Sequence, residues 1–153
     1  MEKKQISVVL VRPHVIIEHG NDAIPDIASY YSADPGLRII KQLRFTFTRK
    51  KAEEFYAEHK GKFFFENLMD TSTEGESVAF LIEGFNAVEK VRRITGPTDS
   101  RKNLDETTVR GKYGIKVAPE ETDPGSKNGA HASDSAASAM REEKIIWGSI
   151  KGL

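Results

Sequence analysis

Residues 128–135, with the sequence NGAHASDS, place a histidine directly before a strong helix-start signal. Ser133, Asp134 and Ser135 are residue types that cap helix N-termini, and the AASAMREE run that follows favours a helix. The free N–H groups and the positive dipole end of a helix start are favourable for a phosphate group. Because imidazole is a nucleophile, His131 is a candidate phosphate acceptor, although a histidine in a turn is more often only a solvated side chain.

Apolar patterns predict the strands that must position this segment. Two are continuous apolar runs, typical of buried strands, and two show alternation of apolar and polar residues. The second strand alternates in two phases, which predicts an irregularity near Lys41 and Gln42. The predicted strands cover residues 6–11, 37–47, 78–82 and 113–117.

Cap and stop residues predict helices between the strands. Thr48 is a predicted N-cap, Ser133, Asp134 and Ser135 are three candidate caps of the last helix, and Asn86 with Glu89 three residues later resembles a capping box. Residues 97–112 and 119–128 are predicted loops. The predicted helices cover residues 21–33, 49–60, 63–68, 87–95 and 135–147. The side chains expected on the inner face of the last helix are Ala136, Ala139, Met140, Ile146 and Trp147. This order of elements predicts an α/β sandwich with helices over one antiparallel sheet.

Bulk properties exclude several classes of protein. The 153 residues suit one domain with a real core, predicted over residues 1–153. Equal numbers of acidic and basic residues argue against a broad nucleic-acid footprint, and the absence of cysteine excludes disulfides and thiolate metal sites. The first apolar run is too short to span a membrane and no signal-peptide pattern follows it, so we expect a cytoplasmic protein.

The histidine segment, together with Ala139 and Glu142, resembles the active-site signature of nucleoside diphosphate kinases, N-x-x-H-G-S-D-S followed by S-A-x-x-E. Other blocks resemble the same family in the same order, and the resemblance runs from about residue 6 to about residue 147. These blocks are VLVRP at 9–13, YAEHKGK at 56–62 with FF at 64–65, GPTD at 96–99 and TVRG at 108–111.

The resemblance implies a ferredoxin-like βαββαβ sandwich, in which helices pack on a four-stranded antiparallel sheet. It also implies a ping-pong kinase that moves the γ-phosphate of a nucleoside triphosphate to a nucleoside diphosphate through a phosphohistidine. Magnesium is expected to enter with the nucleotide phosphates. A homo-oligomer is expected, with a hexamer favoured over a tetramer or a dimer.

The resemblance also assigns roles to single residues. His131 is the nucleophile, through its δ nitrogen, and Ser133 and Glu142 orient or polarise the site. Tyr56 lines the site, and Asp134 contacts magnesium through water. The residues that correspond to the family's nucleotide-binding positions are Arg12, Arg92, Arg110 and Thr98 for the phosphates, Asn128 for the sugar and phosphate, and Phe64 for the base. From the residues alone, Tyr56 and Phe64 also fit an ordinary core, and Glu142 fits a solvated helix carboxylate better than a site residue.

The chain departs from the family pattern at several positions. It has Arg12-Pro13-His14 where the family has lysine, proline and aspartate, and arginine is bulkier than lysine and planar. Lys112 stands in place of an aspartate and Ala132 in place of a glycine, and there are extra residues before Gly36 and at 119–127. We expect an altered rate or phosphate geometry rather than loss of nucleotide binding.

Two other functions fit parts of the sequence. A relative that binds nucleotides without catalysis, and acts through protein partners, is compatible with the loss of the lysine. A single-stranded RNA-binding module is suggested by RGKYGIKV at 110–117, but this strand has one aromatic residue where such modules need more. The other histidines, His14, His19 and His59, lack metal-ligand spacing and are predicted to be surface or helix-face residues.

Overall fold

The computed structural model describes residues 3–103 and 105–148, and its centre is a four-stranded sheet in the order β2-β3-β1-β4. Every neighbouring pair of strands is antiparallel, as the order of elements predicted and as in the ferredoxin-like fold that the family resemblance implied. The predicted irregularity is present as a register shift between Ile39 and Lys41. The strands are β1 (Lys4–Val11), β2 (Leu37–Phe45), β3 (Ser77–Phe85) and β4 (Ala130–Ala132).

Helices and short 3₁₀ turns connect the strands. Thr48 caps a helix as predicted, through a side chain that accepts from Lys51 N–H, and of the three candidate caps of the last helix Ser135 is the one that accepts from Ser138 N–H. None of the described helices is long and apolar enough to cross a membrane. The α-helices are α1 (Pro13–His19), α2 (Ala23–Ser32), α3 (Arg49–Phe55), α4 (Phe65–Thr73), α5 (Ala87–Thr95), α6 (Val109–Tyr113) and α7 (Ala136–Trp147), and the 3₁₀ turns are Ala57–His59 and Ser100–Lys102.

Both faces of the central strands are buried, which explains their continuous apolar runs. Val9 and Val11 of β1 face a cluster that contains residues of α1, α2, α5 and α6. Val8 and Leu10 face the opposite cluster, formed with α3, α4 and α7. Since side chains alternate along a strand, a strand covered on both sides needs apolar residues at every position.

The prediction of the fourth strand was wrong. Residues 113–117 contain the end of α6 and an extended segment whose Ile115 N–H donates to Lys127 O, rather than a strand of the sheet. The free edge of β1 pairs instead with Ala130–Ala132, so that His131 lies opposite Leu10. Ala130 and Ala132 face the core on either side of His131, but three residues are too few for such an alternation to be recognised in the sequence.

Other local predictions also need correction. Met140 is 65% exposed and Ala136 is exposed, whereas Ala139 and Ile146 of the same helix are buried. Asn86 adopts a left-handed conformation with φ of 54° and does not cap α5 with its side chain. The predicted loop at 97–112 contains the 3₁₀ turn and most of α6, and α1 was not predicted.

Candidate active site

A cavity of about 930 Å³ lies beside β4, and it brings together side chains from distant parts of the chain. One part of its lining is cationic, with Arg12, Arg92 and Arg110, and another is aromatic, with Phe63 and Phe64 near the start of α4. Nine residues predicted from the sequence line this cavity: Arg12, Tyr56, Phe64, Arg92, Thr98, Arg110, Asn128, His131 and Asp134. Ser133 and Glu142 are buried beneath it.

His131 is held on β4 so that its two ring nitrogens have different surroundings. The rings of Phe55 and Tyr56 meet the imidazole edge-on, with centroid distances of 4.9 Å and 5.9 Å. Nε2 is buried and lies 3.0 Å from Glu142 Oε1, although the line between them is too oblique for an aligned hydrogen bond. Nδ1 is therefore the nitrogen left for a ligand in the cavity.

Glu142 is a buried carboxylate rather than a solvated residue of the helix surface. It is only 1% exposed, and its Oε1 accepts a hydrogen bond of 2.6 Å from Ser133 Oγ. Ser133 Oγ in turn accepts from Val8 N–H at 2.9 Å, while Ser133 N–H donates to Val8 O. These bonds join α7 to the sheet, because a buried carboxylate needs hydrogen-bond donors in place of water.

Two buried arginines, Arg12 and Arg110, are also held in place by hydrogen bonds to neighbouring protein groups. Arg12 donates from Nε to Asn128 Oδ1 at 3.1 Å and from Nη1 to Tyr56 Oη at 2.8 Å. Arg110 donates from Nε to Ala130 O at 3.0 Å and from Nη1 to Gly96 O at 2.7 Å. In each guanidinium, Nη2 is the nitrogen left for a ligand.

The charges of these arginines are not compensated by acidic partners. In residues 3–103 and 105–148, neither buried arginine nor the exposed Arg92 forms an ion pair with a carboxylate. Burial, followed by the neighbouring charges of Arg12 and Arg92, lowers the pKa of Arg110 to about 10. A cluster of like charges beside a cavity favours an anionic ligand.

Two further groups in the cavity have shifted pKa values. A hydrogen bond with Ser138, and then the charge of Arg92, lower the pKa of Asp134, so its carboxylate is ionised at neutral pH. Burial raises the pKa of Tyr56, so its hydroxyl stays protonated. Within the described residues, no group of three or more histidine, aspartate and glutamate side chains is placed to hold a metal ion.

The extra residues at 119–127 form part of the cavity wall. Asp123 in this loop accepts hydrogen bonds from Asn67 Nδ2 of α4 at 2.7 Å and from Ser126 Oγ at 2.6 Å. At the end of the loop, Asn128 is 1% exposed, and its Nδ2 donates to Thr98 O at 3.1 Å. Although the loop is enlarged, Asn128 still forms hydrogen bonds with Arg12 and with Thr98.

A model of the nucleoside diphosphate kinase family matches residues 5–151. The chain belongs to this family. It is 40% identical to the nucleoside diphosphate kinase of Staphylothermus marinus over 92% of this chain and 91% of that one, and 37% identical to that of Thermococcus kodakarensis over 96% and 80%. The crystal structure of the Aquifex aeolicus nucleoside diphosphate kinase superposes with a TM-score of 0.80, at 32% identity, over 97% of this chain and 99% of that one.

The departures from the family signature have local explanations. Lys112, in place of the family's aspartate, forms a 2.8 Å ion pair with Asp26, which also accepts from Tyr113 Oη, so that α6 is joined to α2. Ala132, in place of glycine, has a negative φ and is paired with Val9, so its methyl group adds no backbone strain.

His14 contributes to the site in a way that the sequence did not predict. It is 2% exposed, which makes the surface prediction wrong, and its Nε2 accepts a 3.0 Å hydrogen bond from Gly129 N–H. Gly129 has a φ of 98°, and Arg12 N–H donates to its carbonyl. His14 therefore fixes the turn that leads into β4 and His131. Its position two residues after Arg12 was the one feature of the sequence that indicated a place near the site.

We expect His14 to make stability depend on pH. Burial, followed by the charge of Arg12, lowers the pKa of His14 from 6.5 to about 3. Between these values the unfolded chain binds a proton that the folded chain does not, so the free energy of unfolding falls as the pH falls, by at most about 1.4 kcal/mol per pH unit from this group.

Urea unfolding between pH 7 and pH 4 measures this dependence. His14→Gln keeps a hydrogen-bond acceptor without the titration, so it should lose stability less steeply than the wild type on acidification. His19→Gln, at an exposed position, should keep most of the wild-type slope, because the charge of His19 contributes least to the lowered pKa of His14. Equal slopes for His14→Gln and the wild type would contradict the assignment.

Proposed function

We propose that this chain is a nucleoside diphosphate kinase that carries the phosphate on Nδ1 of His131. The observation that supports this most strongly is the placement of the imidazole, with Nε2 buried against Glu142 at the edge of a cavity lined by three arginines. A nucleophile with one nitrogen oriented and the other facing an anion site is suited to accept a phosphoryl group.

The proposed nucleotide orientation follows the polarity of the cavity. The phosphates bind Nη2 of Arg12 and of Arg110, together with Arg92 and Thr98. Asn128 contacts the sugar and the nearest phosphate, and the base stacks on Phe64. A stacking surface accepts any base, which suits a kinase that acts on several nucleotides.

In the first half-reaction, Nδ1 attacks the γ-phosphorus of the nucleoside triphosphate. The new N–P bond forms as the bond from phosphorus to the β,γ-bridging oxygen breaks, and the electron pair leaves with the nucleoside diphosphate. The proton on Nε2 stays on the ring, where the carboxylate of Glu142 stabilises the positive charge that develops. Ser133 keeps that carboxylate in position.

In the second half-reaction, a β-phosphate oxygen of another nucleoside diphosphate attacks the phosphohistidine, and the N–P bond returns its electrons to Nδ1. The guanidinium groups are already fixed by Tyr56, Asn128 and backbone carbonyls, so they stabilise the transferring phosphoryl group with little rearrangement.

The divalent cation that kinases generally need is proposed to be magnesium, bound with the nucleotide. The ionised carboxylate of Asp134 in the cavity fits a contact through water, because magnesium keeps several waters and takes oxygen ligands. When bound, the ion would neutralise charge on the phosphates.

We also propose that residues 1–153 form one domain and assemble as a homo-oligomer, with a hexamer favoured over a tetramer or a dimer. The cytoplasmic location expected from the sequence stays a prediction. Light scattering measures the assembly directly, and a particle of six times the 17.1 kDa chain mass is expected.

Phosphoenzyme formation tests the function. Wild-type protein incubated with magnesium and γ-labelled ATP, without an acceptor, should acquire a label that is lost in acid, stable in base and removed by a nucleoside diphosphate. His131→Ala should acquire no label and still bind ADP, whereas His19→Ala should be labelled like the wild type. Substantial labelling of His131→Ala would exclude His131 as the nucleophile. A wild-type protein that binds ADP without labelling would instead favour the non-catalytic alternative.

The contribution of Glu142 can be measured separately. Glu142→Gln keeps the size of the side chain and removes its charge, and hydrogen bonds to charged groups are worth about 1.5–3 kcal/mol, so phosphoryl transfer should slow roughly 10- to 100-fold. Rapid-mixing measurement of phosphoenzyme formation gives this rate, and ADP affinity should remain near that of the wild type. An unchanged rate would show that the carboxylate does not act on His131.

A further inference from the structure

Phe63 is an aromatic side chain at the cavity to which the proposed mechanism gives no role. It is 74% exposed, more than any other large hydrophobic side chain among the described residues. An isolated exposed hydrophobic residue is common and needs no explanation. Phe63, however, lines the same cavity as the three arginines and His131.

The ring of Phe63 forms a corner with the ring of Phe64. Their centroids are 5.5 Å apart and their planes are 89° to each other. Phe64 is half-buried against the core, whereas Phe63 is free of it. A flat ligand stacked on Phe64 inside this corner would meet Phe63 with its edge, which is a favourable arrangement of aromatic groups.

We propose that Phe63 is a specificity-determining residue that contacts the edge of the nucleobase stacked on Phe64. This rests on the proposed function, which places the base at Phe64. The arginines bind phosphate and Asn128 is proposed to contact the sugar, so the aromatic corner of Phe63 and Phe64 is the part of the cavity that would recognise the base. Binding of the base also removes the exposed phenyl group of Phe63 from water.

Calorimetric titration of the full-length protein with ADP and with inorganic pyrophosphate, both with magnesium, separates what the nucleoside contributes to the affinity from what the phosphates contribute. Phe63→Ala should raise the Kd for ADP roughly three- to tenfold, the range of an aromatic pair. It should leave the Kd for pyrophosphate unchanged, and Phe63→Trp should restore ADP binding. Phe85→Ala removes another exposed phenylalanine, 52% exposed and outside the cavity lining, and should change neither value.

Three results would overturn the proposal. An unchanged Kd for ADP in Phe63→Ala would show that the ring does not contact the base. Equal weakening of ADP and pyrophosphate would indicate a general disturbance of the cavity. A change of oligomeric mass in Phe63→Ala would show that another copy of the chain covers the ring. Because wild-type phosphoenzyme formation tests the proposed function independently, these results leave that function standing.

Discussion

The burial of Glu142 against His131 is the constraint on which the site depends. A carboxylate that is 1% exposed is stable only if polar groups replace its water; Ser133 Oγ donates a hydrogen bond to it, and Nε2 of the imidazole lies 3.0 Å from the same oxygen. Ser133 is bonded to Val8 in β1, so the same interaction joins α7, β4 and the central strand. The sheet therefore fixes the direction of the imidazole before any ligand binds.

The same sheet brings the cationic groups to the histidine. β1 ends directly before Arg12. Its pairing with β4 places His131 opposite Leu10, which lies two residues before Arg12 in the sequence. Arg110 is bonded to Ala130 O, and His14 accepts from Gly129 N–H, so the chain directly before His131 is tied to α6 and α1. Burying guanidinium groups without acidic partners costs stability, and a phosphate ligand would offset that cost. Groups preorganised in this way favour transfer of a charged phosphoryl group.

Much of the fold and most of the candidate site could be predicted from the sequence. The apolar runs predicted β1 and β3, and the residues assigned from the spaced motifs include nine that line the cavity. Periodicity failed at β4, because the alternation of Ala130, His131 and Ala132 is too short to be recognised. It also misassigned Met140, because the few apolar residues of the last helix do not define where its buried face ends. The place of His14 after Arg12 indicated only that it lies near the site, since its burial depends on a backbone N–H more than a hundred residues away.

The most direct test of this mechanism is to identify which imidazole nitrogen carries the phosphate. Protein labelled with ¹⁵N at histidine and phosphorylated with magnesium and ATP can be studied by NMR, with His131→Ala used to assign the signals. Phosphorus coupled to Nδ1 of His131 is the expected result, because Glu142 holds Nε2. Phosphate on Nε2, or on another residue, would contradict the central role given to the His131–Glu142 contact.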